Sequence, residues 1–182
     1  DCTRSSVYCL TLLRQALASI LDLLGVRQRM NKLLNCSRLA MPQKLTLSTG
    51  LDALSHAMEA FWAAARNPLS QALGLDSIQR IKTALPAVLK NKDDLKARED
   101  MCIGSLVAGL AFSMTKTTAS HSISYPLTID HGIEHGFASA LTLAQVMDIN
   151  AKAVPEVAEI TGIFGGAQGF GAWLSGVARG IQ

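Results

Sequence analysis

Apolar residues along this chain recur every three to four positions rather than every second one, so the pattern predicts helix after helix. Cys9, Leu10, Leu13, Leu17, Ile20, Leu21 and Leu24 mark a first helix within residues 6–34, interrupted at Gly25. Residues 40–47 hold Pro42 and read as a connector. A second helix starts at Ser48-Thr49-Gly50 and runs towards Ala65, where Asn67-Pro68 ends it. Residues 69–90 make a third, with Pro86 a site for a kink near its end. Lys92-Asp93-Asp94 is a turn that offers an Asp as N-cap. Residues 95–114 form a fourth helix, whose Gly104, Ser105, Ala108 and Gly109 let a neighbouring helix approach closely.

Residues 115–136 interrupt the periodicity. They are rich in Thr and Ser, hold three of the four histidines, and read as irregular. A helix resumes over 137–150, and Val154-Pro155-Glu156 opens another with Pro at its first position. Beyond Gly162 glycines crowd the chain. Gly166-Ala167-Gln168-Gly169-Phe170-Gly171 lacks the spacing of a dinucleotide fingerprint and has no strand before it, so it reads as a loop or a frayed end. There is no convincing strand, no βαβ alternation, no internal repeat and no low-complexity tract. The expected fold is all-α, a bundle-like array of six to eight helices.

Composition narrows the function classes. With 182 residues, 49% hydrophobic and 17% charged, the chain can bury a real core and is not disordered. A net charge of +3, with Lys and Arg spread along the sequence, gives no basic stripe for nucleic acid. Two apolar stretches fail as membrane spans: 101–115 is too short, and 160–178 carries six glycines and Gln168. Cys2, Cys9, Cys36 and Cys102 form no CxxC pair and read as free thiols of a reducing cytoplasm. The early apolar stretch, broken by Arg14 and Asp22, does not read as a cleavable signal.

Two clusters carry the candidate chemistry. Asp52 and His56 stand four residues apart, on one helix face with Cβ atoms about 5–6 Å from each other, where they can grip one ion together. The same residues have a plainer reading: Thr49-x-x-Asp52 is capping-box-like, and His56 could be a core histidine. The second cluster is His121, His131 and His135, so every histidine lies on the Asp52 helix or in this one segment. Imidazoles and a carboxylate make a mixed N/O donor set suited to Fe(II), Zn(II) or a similar divalent ion.

Several segments in order then resemble one family. Thr49-Gly50-Leu51-Asp52-Ala53-Leu54-Ser55-His56-Ala57-Met58-Glu59-Ala60 resembles the T-G-x-D-A-x-x-H-A-x-E-A motif of the iron-containing (group III) alcohol dehydrogenases. Ala97-Arg98-Glu99-Asp100-Met101 and Ala108-Gly109-Leu110-Ala111-Phe112 resemble two further segments, and His121 followed by His135-Gly136 resembles the last two ligand positions. The resemblance covers roughly residues 39–150. It implies metal ligands Asp52, His56, His121 and His135, with His131 the rival for the last place. It implies a helical metal-binding domain of the dehydroquinate-synthase-like kind over 39–182, shortened at its C-terminus, after an N-terminal helical segment, 1–38, of uncertain origin.

In that family an N-terminal α/β domain binds NAD(P), and this chain would lack it. The implied activity is hydride transfer between NAD(P) and a small alcohol or aldehyde, with the metal as Lewis acid on the substrate oxygen. The alternative is a catalytically inactive metal-binding module. A metal-dependent hydrolase would need a separate general base, which the sequence does not offer. A homo-oligomer, or a separate nucleotide-binding domain, is the expected partner. One departure stands out: the family commonly has a histidine four residues after His121, where this chain has Tyr125. The Ser124-Tyr125-Pro126-Leu127-Thr128 variant resembles the branch that reduces phosphonate aldehydes such as phosphonoacetaldehyde, for which Lys116, with Thr115, Thr117 and Thr118, could grip the anionic tail. Lys116 can equally be a solvated cation at a helix C-terminus.

Overall fold

A computed structural model describes residues 41–179. Among these residues it contains eight helices and no strand: α1 Gln43–Trp62, α2 Pro68–Lys90, α3 Leu95–Thr115, α4 Ala119–His131, α5 His135–Ala140, α6 Leu143–Ala151, α7 Val157–Phe164 and α8 Gly166–Arg179. The all-α expectation therefore holds. The helix expected over 6–34, and with it Cys2, Cys9 and Cys36, lies outside the described residues.

Helix α1 runs through the centre, packed by α2, α3 and α5. Leu47, Leu51, Leu54, Met58 and Phe61 are buried along it, at the spacing that keeps one face inward. Small residues set the distances to its neighbours. A side chain at Gly74 would meet the Ala57 carbonyl at 2.8 Å, so α2 lies close against α1. Gly104 on α3 sits over Ile81 of α2, where its carbonyl accepts a 2.8 Å hydrogen bond from the Ser77 hydroxyl. The ends read from sequence hold here. Asn67 accepts from the N–H groups of Leu69 and Ser70, Ser70 returns the bond, and Pro68 takes the first helical position. Asp94 caps α3 through the N–H of Ala97.

Elsewhere the helices depart from expectation. Residues 43–47 are the start of α1, not a connector, because Pro42 stands just outside the helix and Leu47 extends the buried row of Leu51 and Leu54. Residues 119–131 are helical, not irregular. The Ser122 and Ser124 hydroxyls donate to the carbonyls of Thr118 and His121, so side chains expected to compete with the helix satisfy its own backbone. Pro126 lies inside α4, and left-handed Gly132 closes it.

The helix expected over 137–150 is broken at Leu141-Thr142, which lets α6 turn and bury Leu143, Val146 and Met147. Pro155 precedes α7 rather than opening it, and Glu156 is the N-cap. The glycine-rich end is the helix α8. Positive φ at Gly165 and Gly166 turns the chain, and Phe170 then packs edge-on against Phe164 with ring centroids 4.8 Å apart. The Trp173 indole donates to the Lys82 carbonyl at 3.1 Å, and Lys82 donates to the Ile163 carbonyl, tying this end to α2. Glycines diluted the apolar spacing of Phe170, Trp173 and Val177 in the sequence. Leu106, Leu110 and Met114 leave a partly exposed apolar stripe on α3. No described helix is long and apolar enough to cross a membrane.

Candidate metal centre

Three helices deliver four side chains to one place. Asp52 and His56 stand one turn apart in the middle of α1, His121 comes from the first turn of α4, and His135 opens α5. Asp52 Oδ1 lies 3.5 Å from His121 Nε2 and 3.5 Å from His135 Nε2, and Asp52 Oδ2 lies 3.6 Å from His56 Nδ1. Ligand-type atoms of Asp52, His56 and His121 all fall within 4.8 Å of one another. The His56 and His121 ring centroids are 4.3 Å apart, and His135 stands further out, 5.4 Å from His121. Phe112 of α3 covers the His56 ring at 4.5 Å.

Those distances decide between two uses of the group. At 3.5 Å the nitrogen–oxygen contacts are too long for good hydrogen bonds. Two atoms each bonded at about 2.1 Å to one ion stand roughly 3.0–3.5 Å apart. Asp52 Oδ1 and His121 Nε2 are both buried and have no hydrogen-bond partner. Buried polar atoms without partners are rare, and here the two face each other. The donor set and these two atoms fit a divalent cation. The plainer reading of Asp52 fails, because α1 begins at Gln43 and the Thr49 hydroxyl donates back to the Leu45 carbonyl at 2.8 Å, so no capping box forms.

The sequence reason for His135 being within reach is the next residue. A Cβ at Gly136 would overlap the carbonyl of Ser48, so only glycine lets α5 lie this close to α1, one turn from Asp52. Glu134, just before it, pairs with Lys44 of α1 at 2.5 Å. His131 sits exposed in the last turn of α4 and does not join the group. The Tyr125 ring stacks on His135 at 6.1 Å with an interplanar angle of 11°.

One residue went unassigned in the sequence reading. Glu59, fully buried, lies on the same face of α1, seven residues after Asp52. Its Oε2 meets His121 Nδ1 at 2.6 Å and accepts from the Thr118 N–H at 2.9 Å. Its Oε1 accepts from the Thr118 hydroxyl and the Ser120 N–H, each at 2.7 Å. A carboxylate at i+3 from His56 and i+7 from Asp52, on the face that carries both, was the available signal.

Electrostatics follow from this packing. Burial disfavours a charged His121, but its contacts with Asp52 and Glu59 overcome that and raise its pKa to about 9. Burial pushes the carboxyl of Glu59 up, and the hydrogen bonds from His121 and Thr118 outweigh it, leaving it below its ordinary value. Asp52 is lowered likewise: burial opposes, and His121, His56 and His135 prevail. His56 is lowered, chiefly by burial. Among the residues considered for an anionic tail, Lys116 is exposed at the end of α3. Thr118 is committed to Glu59 and accepts from the Trp62 indole at 3.3 Å, and Thr115 bonds neighbouring carbonyls.

Comparison with known proteins places the chain in a family. Residues 46–171 match a family model described as the Fe-containing alcohol dehydrogenase family, C-terminal. Alcohol dehydrogenase 4 of Saccharomyces cerevisiae is 37% identical over 131 residues, 70% of this chain and 34% of that protein. The NAD-dependent methanol dehydrogenase of Bacillus methanolicus is 34% identical over 125 residues, 66% of this chain and 33% of its own length. The crystal structure of sulfoacetaldehyde reductase from Bifidobacterium kashiwanohense in complex with NAD+ matches with a TM-score of 0.70 at 36% identity, covering 79% of this chain and 39% of that one. The chain thus spans about a third of the length of the curated relatives it matches.

Proposed function

The chain belongs to the iron-containing alcohol dehydrogenase family, and from that premise we propose that it is the metal-binding part of an NAD(P)-dependent alcohol dehydrogenase or aldehyde reductase. Asp52, His56, His121 and His135 are the ligands in this reading. The observation that carries it is the facing pair of buried, unpartnered atoms, Asp52 Oδ1 and His121 Nε2, 3.5 Å apart. The mixed donor set suits Fe(II) or Zn(II). Bound there, such an ion supplies Lewis acidity to the oxygen of a small alcohol or aldehyde, and the nicotinamide supplies or takes the hydride.

The chain's own residues shape the approach. Phe112 covers His56 on one side and excludes water there, while His135 and Tyr125 stand at the more exposed side, where a small substrate would enter. Residues 39–182 form the metal-binding domain in this proposal, 1–38 a separate segment. The NAD(P) site belongs to a nucleotide-binding domain or partner, and the apolar stripe of Leu106, Leu110 and Met114 supports a covering surface, either that domain or a second copy of the chain. The narrower substrate proposal is an aldehyde with an anionic phosphonate or sulfonate tail. The Ser124–Thr128 segment supports it, as does the relative named for sulfoacetaldehyde, with Lys116 and Thr117 as the groups left to meet the tail.

Metal analysis of the purified chain tests the ligand reading. One Fe(II) or Zn(II) per chain is expected, and its loss in His56→Ala; stoichiometric metal retained by that variant removes His56 from the site. With the nucleotide-binding domain supplied, NAD(P)H oxidation with propanal and with phosphonoacetaldehyde, before and after Lys116→Ala, tests activity and substrate. A loss confined to the anionic aldehyde supports the tail grip. Metal without turnover on either aldehyde, with that domain supplied, leaves the non-catalytic module as the correct reading.

A further inference from the structure

We propose that Glu59 is the positioning residue of the metal centre, acting through His121. The inference rests on the metal reading above and adds a role to a residue outside its ligand set. Glu59 is fully buried, yet five donors meet its carboxylate: the Thr118 N–H and hydroxyl, the Ser120 N–H, the His121 N–H at 3.4 Å, and His121 Nδ1.

Two tasks are combined in these contacts. Helix α4 has no side-chain cap of its own at Thr118. Its first N–H groups are satisfied instead by a carboxylate from α1, which fixes where α4 starts relative to Asp52. The same carboxylate takes the Nδ1 side of His121 at 2.6 Å, which orients the ring so that Nε2 faces Asp52 Oδ1. A metal-binding imidazole needs its free lone pair on the nitrogen aimed at the ion, and a carboxylate on the opposite nitrogen enforces that choice.

The carboxylate, rather than size, is what this site uses. Both oxygens only accept, so an amide of the same shape must turn an N–H₂ towards either the Thr118 and His121 side or the Thr118 hydroxyl and Ser120 side. On the first side it faces His121 Nδ1 as a donor and favours the tautomer that protonates Nε2. Glu59→Gln should therefore weaken metal binding while α1 and α4 stay folded.

The experiment measures Zn(II) affinity of the full chain by competition with a chromophoric chelator, for wild type, Glu59→Gln, His121→Ala and the double variant. Glu59→Gln is expected to bind about 10–100-fold more weakly, the range found when the partner of a ligating histidine is removed. In the His121→Ala background the same change should add less than about twofold, because Glu59 acts through that ring. Unchanged affinity in folded Glu59→Gln overturns the proposal, as does a full additional loss in the double variant, which would mark a general structural role. Wild type that binds no Zn(II) overturns the metal reading and this one with it, whereas tight wild-type binding with an indifferent Glu59→Gln overturns this one alone. If Glu59→Gln does not fold, zinc-loaded wild type decides by long-range proton–nitrogen NMR: His121 protonated at Nδ1 and metallated at Nε2 supports the proposal, and the reverse refutes it.

Discussion

Raising the pH from 6.5 to 9 should weaken the metal-free protein and tighten its hold on metal at the same time. His121 is the hinge of this prediction. Its contacts with Asp52 and Glu59 raise its pKa from 6.5 to about 9, so at neutral pH the metal-free ring is protonated. At 1.36 kcal/mol per pKa unit the difference corresponds to about 3 kcal/mol of stability. A raised folded-state value means that this stability is fully present below pH 6.5 and is lost as pH climbs through 9. A ligating imidazole must be neutral, so an ion has to displace that proton. At pH 7 the competition weakens binding about fiftyfold relative to pH 9, with a gain of nearly tenfold from pH 7 to 8 and about fivefold from 8 to 9. His56, whose pKa burial lowers, competes for a proton less than an ordinary imidazole across this window.

Thermal unfolding with excess Zn(II) and with a chelator, at half-unit steps from pH 6.5 to 9, reads both effects together. The gap in Tm should widen steadily across the window. Calorimetric titrations at pH 7.5 in two buffers of different ionisation enthalpy should show close to one proton released per ion bound. A constant or narrowing gap together with no proton release would refute the assignment of His121 as a ligand that is protonated when metal-free.

Other outcomes follow from single contacts. Gly136→Ala places a Cβ on the Ser48 carbonyl and should cost about 2–3 kcal/mol, seen in thermal unfolding, with metal affinity falling as α5 is pushed off α1. His131→Ala should leave Zn(II) affinity within about twofold because the ring is exposed at the far end of α4, whereas His135→Ala should weaken it at least tenfold; the opposite ranking would exchange the two residues' roles. Phe170→Ala should cost about 3–5 kcal/mol in denaturant unfolding, since the ring is fully buried against Phe164 and Trp173; a cost below 1 kcal/mol would mean that α8 does not pack as described.

Most of the scaffold was legible because helices α1, α2 and α3 carry their own signals: the Leu51, Leu54, Met58 row, the Asn67-Pro68 start, the Asp94 cap. The pairing of Asp52 with His56 was legible from helical spacing, and the distant His121 and His135 only from resemblance to a family. What stayed hidden has physical reasons. Helix α4 combines Ser, Thr and an interior Pro126, each of which disfavours helix locally, and tertiary contacts with Glu59 and the hydroxyl bonds to Thr118 and His121 override them. Helix α8 hides its buried stripe among glycines. The break between α5 and α6 falls at Leu141-Thr142, where no Gly or Pro marks it in the sequence. A capping box at Thr49 looked plausible only while the five residues before Ser48 were read as a connector.

The energetics of the group argue that it is kept for what it binds. With His121 neutral, as a ligand must be, leaving Asp52 Oδ1 and His121 Nε2 buried without partners costs roughly 1–3 kcal/mol each, less for Asp52, whose side chain is part exposed. The Glu59–His121 pair offsets part of this, yet a buried ion pair is rarely more stable than apolar side chains of the same size. A three-helix junction serving only as core would be better filled by Leu and Phe, as it is one turn further along α1 at Met58 and Phe61. With His121 neutral, the polar cluster therefore opposes stability unless something satisfies the two orphaned atoms at once. In the proposed reading a single divalent cation would do so, since Asp52 Oδ1 stands 3.5 Å from His121 Nε2 and from His135 Nε2, about the separation of two ligands of one ion.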